Sequence, residues 1–219
     1  MTAARGADLA RIPPFSALSD DELNSMAHLF TVRAYPKHAI VASEGEAARV
    51  VMFIISGRTR HFWRDQHGNE MDLAILGAGE SFGNVALIGE PFLVSSIVVE
   101  PLVVAAIEAQ DFEALLLRHP GLAVRCLKDA FGVVRNLIQR AKVFSMEGVY
   151  GRVVWLLQRR AVASDGKLVT DRLTQADIAR RVGATRESVG QVLRELARGG
   201  YITASGGRFT ILRQPPARR

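Results

Sequence analysis

Two amphipathic stretches separated by one glycine constrain this chain more than any other feature of its sequence. In the first, Thr174 precedes apolar residues at helical spacing, and Asp177 stands where a capping box places an acidic side chain. Gly183 can adopt the left-handed conformation that ends a helix, and Thr185 can cap a second helix directly after it. The sequence therefore predicts two helices joined by a tight turn, a helix-turn-helix.

The apolar residues of both helices can form one small core. They are Ile178, Ala179, Val182, Val189, Val192, Leu193 and Leu196. Two short apolar segments follow, Tyr201–Thr203 and Arg208–Leu212, and the turn-forming Ser205-Gly206-Gly207 joins them. They predict a β-hairpin wing that closes the domain.

Charge is distributed unevenly along the chain. Residues 1–150 contain 14 Lys and Arg against 17 Asp and Glu, whereas residues 151–219 contain 14 against 5, a net charge of +9. A basic module on a slightly acidic body favours an anionic polymer as partner, and with a helix-turn-helix that polymer is double-stranded DNA.

The second helix presents a polar face that suits the major groove. Arg186 can bond guanine O6 and N7, and Glu187 can accept from cytosine N4. Gly190 is expected to keep the helix surface low so that DNA can approach closely, and residues at helix N-termini suit phosphates. The predicted DNA-binding residues are Thr174, Gln175, Thr185, Arg186, Glu187, Ser188, Gln191 and Arg194.

The first half of the chain has a different pattern. A short helix with Ser19 as N-cap is predicted within Phe15–Phe30. From residue 31 to 107, short Val-, Ile- and Phe-rich runs alternate with turn residues, and Ser56-Gly57 and His67-Gly68-Asn69 are hairpin signals. Many short strands at regular spacing predict a β-roll or barrel.

A long helix is predicted after Pro120, and its apolar residues repeat at alternating spacings of three and four. We expect this stripe to bury itself against a second copy of the chain, although a helix buried in a single-chain core would show the same spacing. The predicted dimer interface consists of Leu127, Phe131, Val134, Ile138 and Ala141. A further helix is predicted over Arg152–Ala163.

Other classes of protein are disfavoured. Cys126 is the only cysteine, which excludes internal disulfides, Cys-ligated zinc and an iron–sulfur cluster. The longest apolar run, Val50–Ile55, is too short to cross a membrane, and Met1–Arg11 lacks the apolar segment of a secretory signal. We therefore expect a cytoplasmic protein without a membrane partner.

With its elements in this order, the chain resembles the CRP/FNR family of bacterial transcription regulators, the cyclic-AMP receptor protein and its relatives. The matching stretches are Phe15–Glu22, Tyr35–Glu46, Phe53–Gly57, Leu76–Ala86 and Gly183–Leu196. The resemblance implies a homodimer that binds a palindromic operator under the control of a small signal. It also implies RNA polymerase as a partner if the protein activates transcription.

The resemblance implies an α+β fold with three parts. Residues 1–119 would form a cyclic-nucleotide-binding-like β-roll, residues 120–147 the dimerisation helix, and residues 148–219 a winged helix-turn-helix. These parts use the whole chain and leave no residues for a catalytic module, so we expect no enzyme. An effector-independent repressor or architectural protein is the alternative function.

Three positions depart from the family pattern. In the family's cyclic-nucleotide cassette a Glu holds the ribose hydroxyl and an Arg neutralises the cyclic phosphate, but here these positions hold Asn84 and Val94. A buried phosphate without its Arg would be an unpaired charge that costs several kcal/mol, so we expect no tight cAMP binding. In the recognition helix, where the family commonly has an Arg after the glycine, this chain has Gln191, which suits adenine.

What replaces cAMP stays open at this point. The family's adenine-contacting pair falls near Leu137 and Ile138, so the predicted effector pocket is mostly apolar: Gly83, Asn84, Val85, Val94, Ser95, Ser96, Leu137 and Ile138. It could hold an apolar effector, a heme or a cyclic dinucleotide, or be filled by side chains. The five histidines, His28, His38, His61, His67 and His119, stand in no heme-binding motif, and we expect each on the surface.

Overall fold

The computed structural model describes residues 2–164 and 166–216, which form two compact units. The first unit ends at Gly132 and the second begins at Val133, so the division falls inside the long helix. The three-part division predicted from the sequence, with boundaries after residues 119 and 147, stays a prediction.

The first unit begins with short helices, α1 (Gly6–Leu9) and α2 (Asp20–Met26). Ser19 caps α2 as predicted: its hydroxyl accepts from the backbone N–H of Glu22, and the Glu22 carboxylate accepts from the Ser19 backbone N–H at 2.8 Å. The α-helix is shorter than Phe15–Phe30, because 3₁₀ turns at Pro13–Phe15 and Ala27–Leu29 flank it.

The first unit also contains a seven-stranded antiparallel sheet. Its strands are β1 (Thr2–Ala3), β2 (Thr31–Tyr35), β3 (Ile40–Ala42), β4 (Val50–Arg64), β5 (Glu70–Leu76), β6 (Ser81–Phe82) and β7 (Ser95–Glu108). Their order is β1-β2-β7-β4-β5, and β3 pairs with β7 while β6 pairs with β4. This sheet is the roll that the sequence predicted.

The two predicted hairpin signals have different outcomes. At His67-Gly68-Asn69 the chain turns, and the Asp65 carboxylate accepts from the backbone N–H groups of His67 and Asn69. The prediction for Ser56-Gly57 is wrong, because β4 runs through it with a shift in register against β7. Gly57 has φ +86°, and a Cβ there would come 2.0 Å from the Pro101 carbonyl oxygen. It forms a bulge where two strands approach closely.

Apolar side chains bury both faces of β4, which explains its continuous apolar run. One face packs in a core with edge-to-face rings, where Phe53 lies 5.2 Å from Phe15 and 5.4 Å from Phe112. The other face, with Met52 and Ile54, packs inside the roll. Phe112 belongs to α3 (Ala109–Arg118), a helix that the sequence analysis missed because no glycine or proline separates it from β7.

The long helix predicted after Pro120 is α4 (Pro120–Met146), and α5 spans Val149–Arg160. The predicted continuation of α5 to Ala163 is wrong, because residues 161–164 form a strand instead. The second unit then contains β8 (Ala161–Ser164), β9 (Lys167–Thr170), α6 (Gln175–Val182), α7 (Arg186–Arg198), β10 (Ile202–Ser205) and β11 (Arg208–Ile211).

The predicted wing is the hairpin β10–β11, and it extends into a sheet of four strands with the order β10-β11-β9-β8. The helices α5, α6 and α7 pack into one core with this sheet. All seven residues predicted for the shared helix-turn-helix core are buried: Ile178, Ala179, Val182, Val189, Val192, Leu193 and Leu196.

Candidate functional site

The start of α6 has the predicted capping box. The Thr174 hydroxyl accepts from the Asp177 backbone N–H at 3.1 Å, and the Asp177 carboxylate accepts from the Thr174 backbone N–H at 2.9 Å. Burial opposes ionisation of Asp177, but the side-chain and backbone hydrogen bonds from Thr174 outweigh it and lower the pKa of the carboxyl. An ionised, fixed Asp177 therefore holds the helix start in place.

The turn between α6 and α7 also has the predicted geometry. Gly183 is left-handed, with φ 59° and ψ 54°, and its N–H donates to the Ala179 carbonyl. Thr185 is the N-cap of α7, and its hydroxyl accepts from the Ser188 backbone N–H at 3.2 Å. Gly183 and Thr185 therefore define where α6 ends and where α7 begins.

The structure brings the predicted DNA-binding residues onto the start of α6 and one side of α7. Arg186, Glu187, Gln191 and Arg194 are exposed, and so are Thr174, Gln175 and Thr185, whereas Ser188 is half-buried. An exposed helix start with its polar side chains outward is the arrangement that a major groove can accept.

Contrary to expectation, Gly190 does not lie open on the surface of α7. This glycine is buried, and a Cβ there would come 3.2 Å from Gln175 Oε1 and 3.5 Å from an Arg194 guanidinium nitrogen. Gly190 thus makes room for the side chain of Gln175, and its expected part in the approach of DNA stays a prediction. It brings Gln175 of α6 and Arg194 of α7 to the same part of the surface.

A groove of about 460 Å³ lies beside α7, within the second unit. Ser188, Gln191 and Val192 form one side of it, and residues 146–151 at the junction of α4 and α5 form the other. Gln191 therefore has a neighbouring surface of its own chain in reach, as well as the outward direction that base contact needs.

The cassette in the first unit begins with a turn that requires glycine. Gly83 is left-handed, with φ 80°, and a Cβ there would come 2.5 Å from the Val50 carbonyl oxygen. Asn84, which stands at the family's Glu position, begins a 3₁₀ helix that runs to Ile88 and contains the predicted pocket residue Val85. Asn84 is exposed, and its amide donates to the Ser81 hydroxyl at 3.1 Å.

The second part of the cassette is neutral as well. Val94 and Ser95 are half-buried, and the Ser95 hydroxyl accepts from the Glu44 backbone N–H at 3.1 Å. Glu90 is the only charged residue in the sequence from Phe82 to Ser96. Since Glu90 is an anion, no side chain of this segment can neutralise a phosphate.

His61 is buried in the roll, so its predicted surface location is wrong. It is 4% exposed, and its ring nitrogens lie 2.7 Å from the hydroxyls of Ser96 and Thr59. Its ring packs edge to face on Phe82 at 5.2 Å, and burial lowers the pKa of His61 to about 4. The alternation of Thr59 with His61 on β4 was the available signal, because residues two apart share a face.

The buried position of His61 bears on heme binding and on the space left for an effector. Both ring nitrogens are engaged by hydroxyl groups, which disfavours His61 as a heme ligand. The imidazole also occupies space between Phe82 and Ser96, the two segments that bound the cassette. Leu137 and Ile138, the remaining predicted pocket residues, belong to the second unit, and both are exposed.

The apolar stripe of α4 is exposed to an unusual degree. The exposed fractions are 55% for Leu127, 62% for Phe131, 46% for Val134 and 64% for Ile138. Ala141, the fifth residue of the predicted interface, is exposed too. Aligned large apolar side chains of this kind mark an interaction surface.

Neither a metal site nor a membrane-spanning helix is found in the part of the chain that the structure describes. Within residues 2–164 and 166–216, no group of three or more His, Cys, Asp or Glu side chains could hold a metal ion. Over the same residues, no helix combines the length and the apolarity needed to cross a membrane.

Comparison with known proteins assigns the family. The model of the cyclic nucleotide-binding domain family matches residues 32–119, and that of the Crp-like helix-turn-helix domain family matches residues 151–216. The chain is 28% identical over 200 residues to the cyclic AMP receptor protein of Thermus thermophilus, which covers 91% of this chain and 92% of that protein. The chain belongs to the CRP family of transcription regulators.

Solved structures agree with this assignment. The catabolite activator protein of Thermus thermophilus is 26% identical to this CRP-family regulator, with a TM-score of 0.56 over 91% of this chain and 93% of the other. The c-di-GMP-responsive regulator CLP of Xanthomonas campestris, at 21% identity, shares the fold with a TM-score of 0.70 over 88% and 99%. The Crp-like helix-turn-helix domain and the cyclic AMP receptor relative make the chain a transcription regulator with a DNA-binding domain rather than an enzyme.

Proposed function

We propose that this CRP-family regulator is a homodimer that binds a palindromic site in double-stranded DNA and responds to a small effector other than cAMP. The observation that carries the DNA-binding part is the capped start of α7, which exposes Arg186 and Glu187 together. A guanidinium and a carboxylate on successive residues can bond a guanine and a cytosine at base edges.

Phosphate contacts would fix the register of α7 on the duplex. Thr174 and Gln175 start α6, and Thr185 and Ser188 start α7, so their hydroxyl, amide and backbone N–H groups lie at helix ends that favour anions. Arg194 adds a positive charge two turns along the same face of α7.

A second copy of the chain would cover the exposed stripe of α4. The stripe follows the spacing of two helices that pack along their length, so an identical helix is a complementary partner, and the neighbouring Val133 and Leu137 are exposed as well. A two-fold symmetric protein binds a two-fold symmetric site, which is why we propose a palindrome. We place the protein in the cytoplasm, with RNA polymerase as a partner if it activates.

The effector part rests on the neutral cassette. Asn84 and Val94 supply neither of the two charges that a cyclic nucleotide would meet in the family pattern, so Gly83, Asn84, Val85, Val94, Ser95 and Ser96 would suit a less anionic molecule. A structural neighbour is c-di-GMP-responsive, so a cyclic dinucleotide stays among the candidates beside an apolar ligand or heme, but its two phosphates would have to be neutralised by residues outside this segment.

An effector-independent regulator is the second candidate, and a specific observation favours it. His61 fills part of the space between the two segments of the cassette and is bonded on both sides. In that case the roll would be a structural domain, and DNA binding would not change with any small molecule.

In vitro selection from random double-stranded DNA tests the proposal. We expect enrichment of a palindrome whose half-sites each contain a fixed G·C pair, because Arg186 and Glu187 would read it in both copies. Enrichment of no sequence at all would mean that the charge of the second unit binds DNA without specificity, which contradicts the proposal.

A further inference from the structure

Two arginines hold the C-terminal end of α6, the first helix of the helix-turn-helix. A helix end leaves its last carbonyl groups without partners in the helix. In α6, the Arg181 carbonyl accepts from Arg140 Nη2 at 3.2 Å, and the Val182 carbonyl accepts from Arg152 Nη1 at 2.9 Å. Arg140 lies on α4 and Arg152 on α5, so two other helices bond to the turn that precedes the recognition helix.

One aromatic ring supports both guanidinium groups. The guanidinium carbons of Arg140 and Arg152 lie 5.1 and 5.2 Å from the centre of the Phe144 ring, within the range of cation–π attraction. Positive charge is also favoured at a helix C-terminus by the helix dipole. The Nε atom of Arg152 is buried without a hydrogen-bond partner, so this part of the guanidinium is withdrawn from water.

We propose that Arg140, Arg152 and Phe144 form a clamp that fixes the helix-turn-helix on α4 and thereby sets the position of α7 relative to the stripe residues Val134 and Ile138. The three clamp residues are positioning residues and need not touch DNA themselves. The inference rests on the proposed function, because only a dimer on a palindrome has to hold two recognition helices at one spacing.

The clamp should matter for spacing more than for folding. The helix-turn-helix has its own core, in which Ile178, Val189 and Leu196 are fully buried. Without the clamp, α7 should therefore keep its fold and its base contacts but lose its fixed direction from α4. Binding of a single half-site should survive, whereas binding of two half-sites at a fixed distance should weaken.

Arg152→Met tests this, since it keeps most of the side-chain stem and removes the donors and the charge. We expect its affinity for the selected palindrome to fall about tenfold, with half-site affinity and the dimer unchanged. Insertion of one base pair between the half-sites should lower the affinity of the variant less than it lowers the affinity of the wild type. An equal loss of affinity for the half-site and for the palindrome would overturn the clamp, and so would an unchanged affinity for the palindrome.

Arg159→Met is the matched control. Arg159 stacks on Trp155 at 5.6 Å and bonds to Asn136 on α4, so this variant removes the same charge near the same helix without touching α6. We expect less than a twofold change in its affinity for the palindrome. A tenfold loss in this control would assign the effect to charge and overturn the clamp.

Amide hydrogen exchange gives a readout that needs no DNA. The N–H groups of Gly183 and Ala184 both donate to the Ala179 carbonyl, in the turn that the clamp holds. We expect faster exchange of both in Arg152→Met and not in Arg159→Met. Unchanged exchange would overturn the clamp. If the wild type selects no palindrome, the proposed function fails, but hydrogen exchange still decides whether the clamp exists. If Arg152→Met does not fold, Phe144→Leu, which removes only the ring, replaces it in both measurements.

Discussion

At the DNA-binding end, Arg186 and Glu187 stand at the exposed start of a helix with its cap intact, whereas the cassette has Asn84 and Val94 where the family pattern has two charges. The first arrangement is local, because caps join residues three apart. The second depends on distant contacts, such as that of Ser96 with His61, 35 positions earlier. The class of function can therefore be inferred from the DNA-binding residues, whereas the residues of the cassette do not identify the effector.

Disrupting the predicted dimer should have the largest effect, because a palindrome needs both recognition helices. Ile138→Asp would bury an unpaired charge in the dimer at a cost of several kcal/mol. We expect sedimentation equilibrium to show a monomer or misfolded protein. Gln139→Asp, which introduces the same charge one residue off the stripe, should stay dimeric. A well-folded dimer of Ile138→Asp would place the interface elsewhere.

Base reading at the recognition helix should have the next largest effect. Arg186→Ala should weaken binding by about 1–3 kcal/mol per half-site and relax the preference for G·C there. Arg198→Ala removes the same charge at the far end of α7, roughly 18 Å along the helix, and should leave that preference intact. Quantitative gel shifts with every base at that position compare the two. A retained preference in Arg186→Ala would contradict the assignment.

The stability of the first unit should depend on pH through the buried His61. His61 has a pKa of about 4 in the folded protein against 6.5 for the free side chain, so between these values the unfolded state binds more protons. Stability should therefore fall as pH falls through this window, by about 2 kcal/mol between pH 7 and pH 5.

Urea unfolding of the wild type and His61→Gln at both pH values measures this effect. The variant has no titrating ring, so its loss of stability on acidification should be smaller by that amount. The other histidines remain in both proteins and serve as the internal control. Equal losses in the two proteins would show that His61 is protonated as easily in the fold as outside it.

The smallest effect concerns Gln191. We expect selected sites to lack a strict guanine opposite this residue and to favour A·T there, worth about 1 kcal/mol. Gln191→Ala should remove that preference and leave the G·C pair read by Arg186 unchanged. Recovery of a strict guanine that Gln191→Ala does not affect would contradict this reading of α7. Contact of Gln191 with its own groove would instead give no preference.

The sequence predicted those features that depend on neighbours in the chain. The caps at Ser19, Thr174 and Thr185 and the left-handed Gly183 could be identified because each depends on residues within a few positions. The helical conformation of α4 after Pro120 could be predicted from its apolar spacing. These elements also position the DNA-binding residues, so most of that candidate site was available from sequence.

The missed features depend on contacts that the sequence does not display. Gly57 resembles a turn glycine, but its conformation serves the close approach of Pro101 from another strand. Gly190 is covered by Gln175 from the preceding helix, and His61 is buried by Phe82 and Ser96. The strand at Ala161–Ser164 forms because β9 pairs with it, although helical spacing continues into it.

Binding of the selected palindrome with and without millimolar cAMP tests the central contrast most directly. We predict sequence-specific binding whose dissociation constant is the same in both conditions, because Asn84 and Val94 give the cyclic phosphate and ribose no partners. Asn84→Glu combined with Val94→Arg serves as the matched variant, in which any response to cAMP should be larger. Wild-type binding that appears only with cAMP, and saturates with it, would contradict the account.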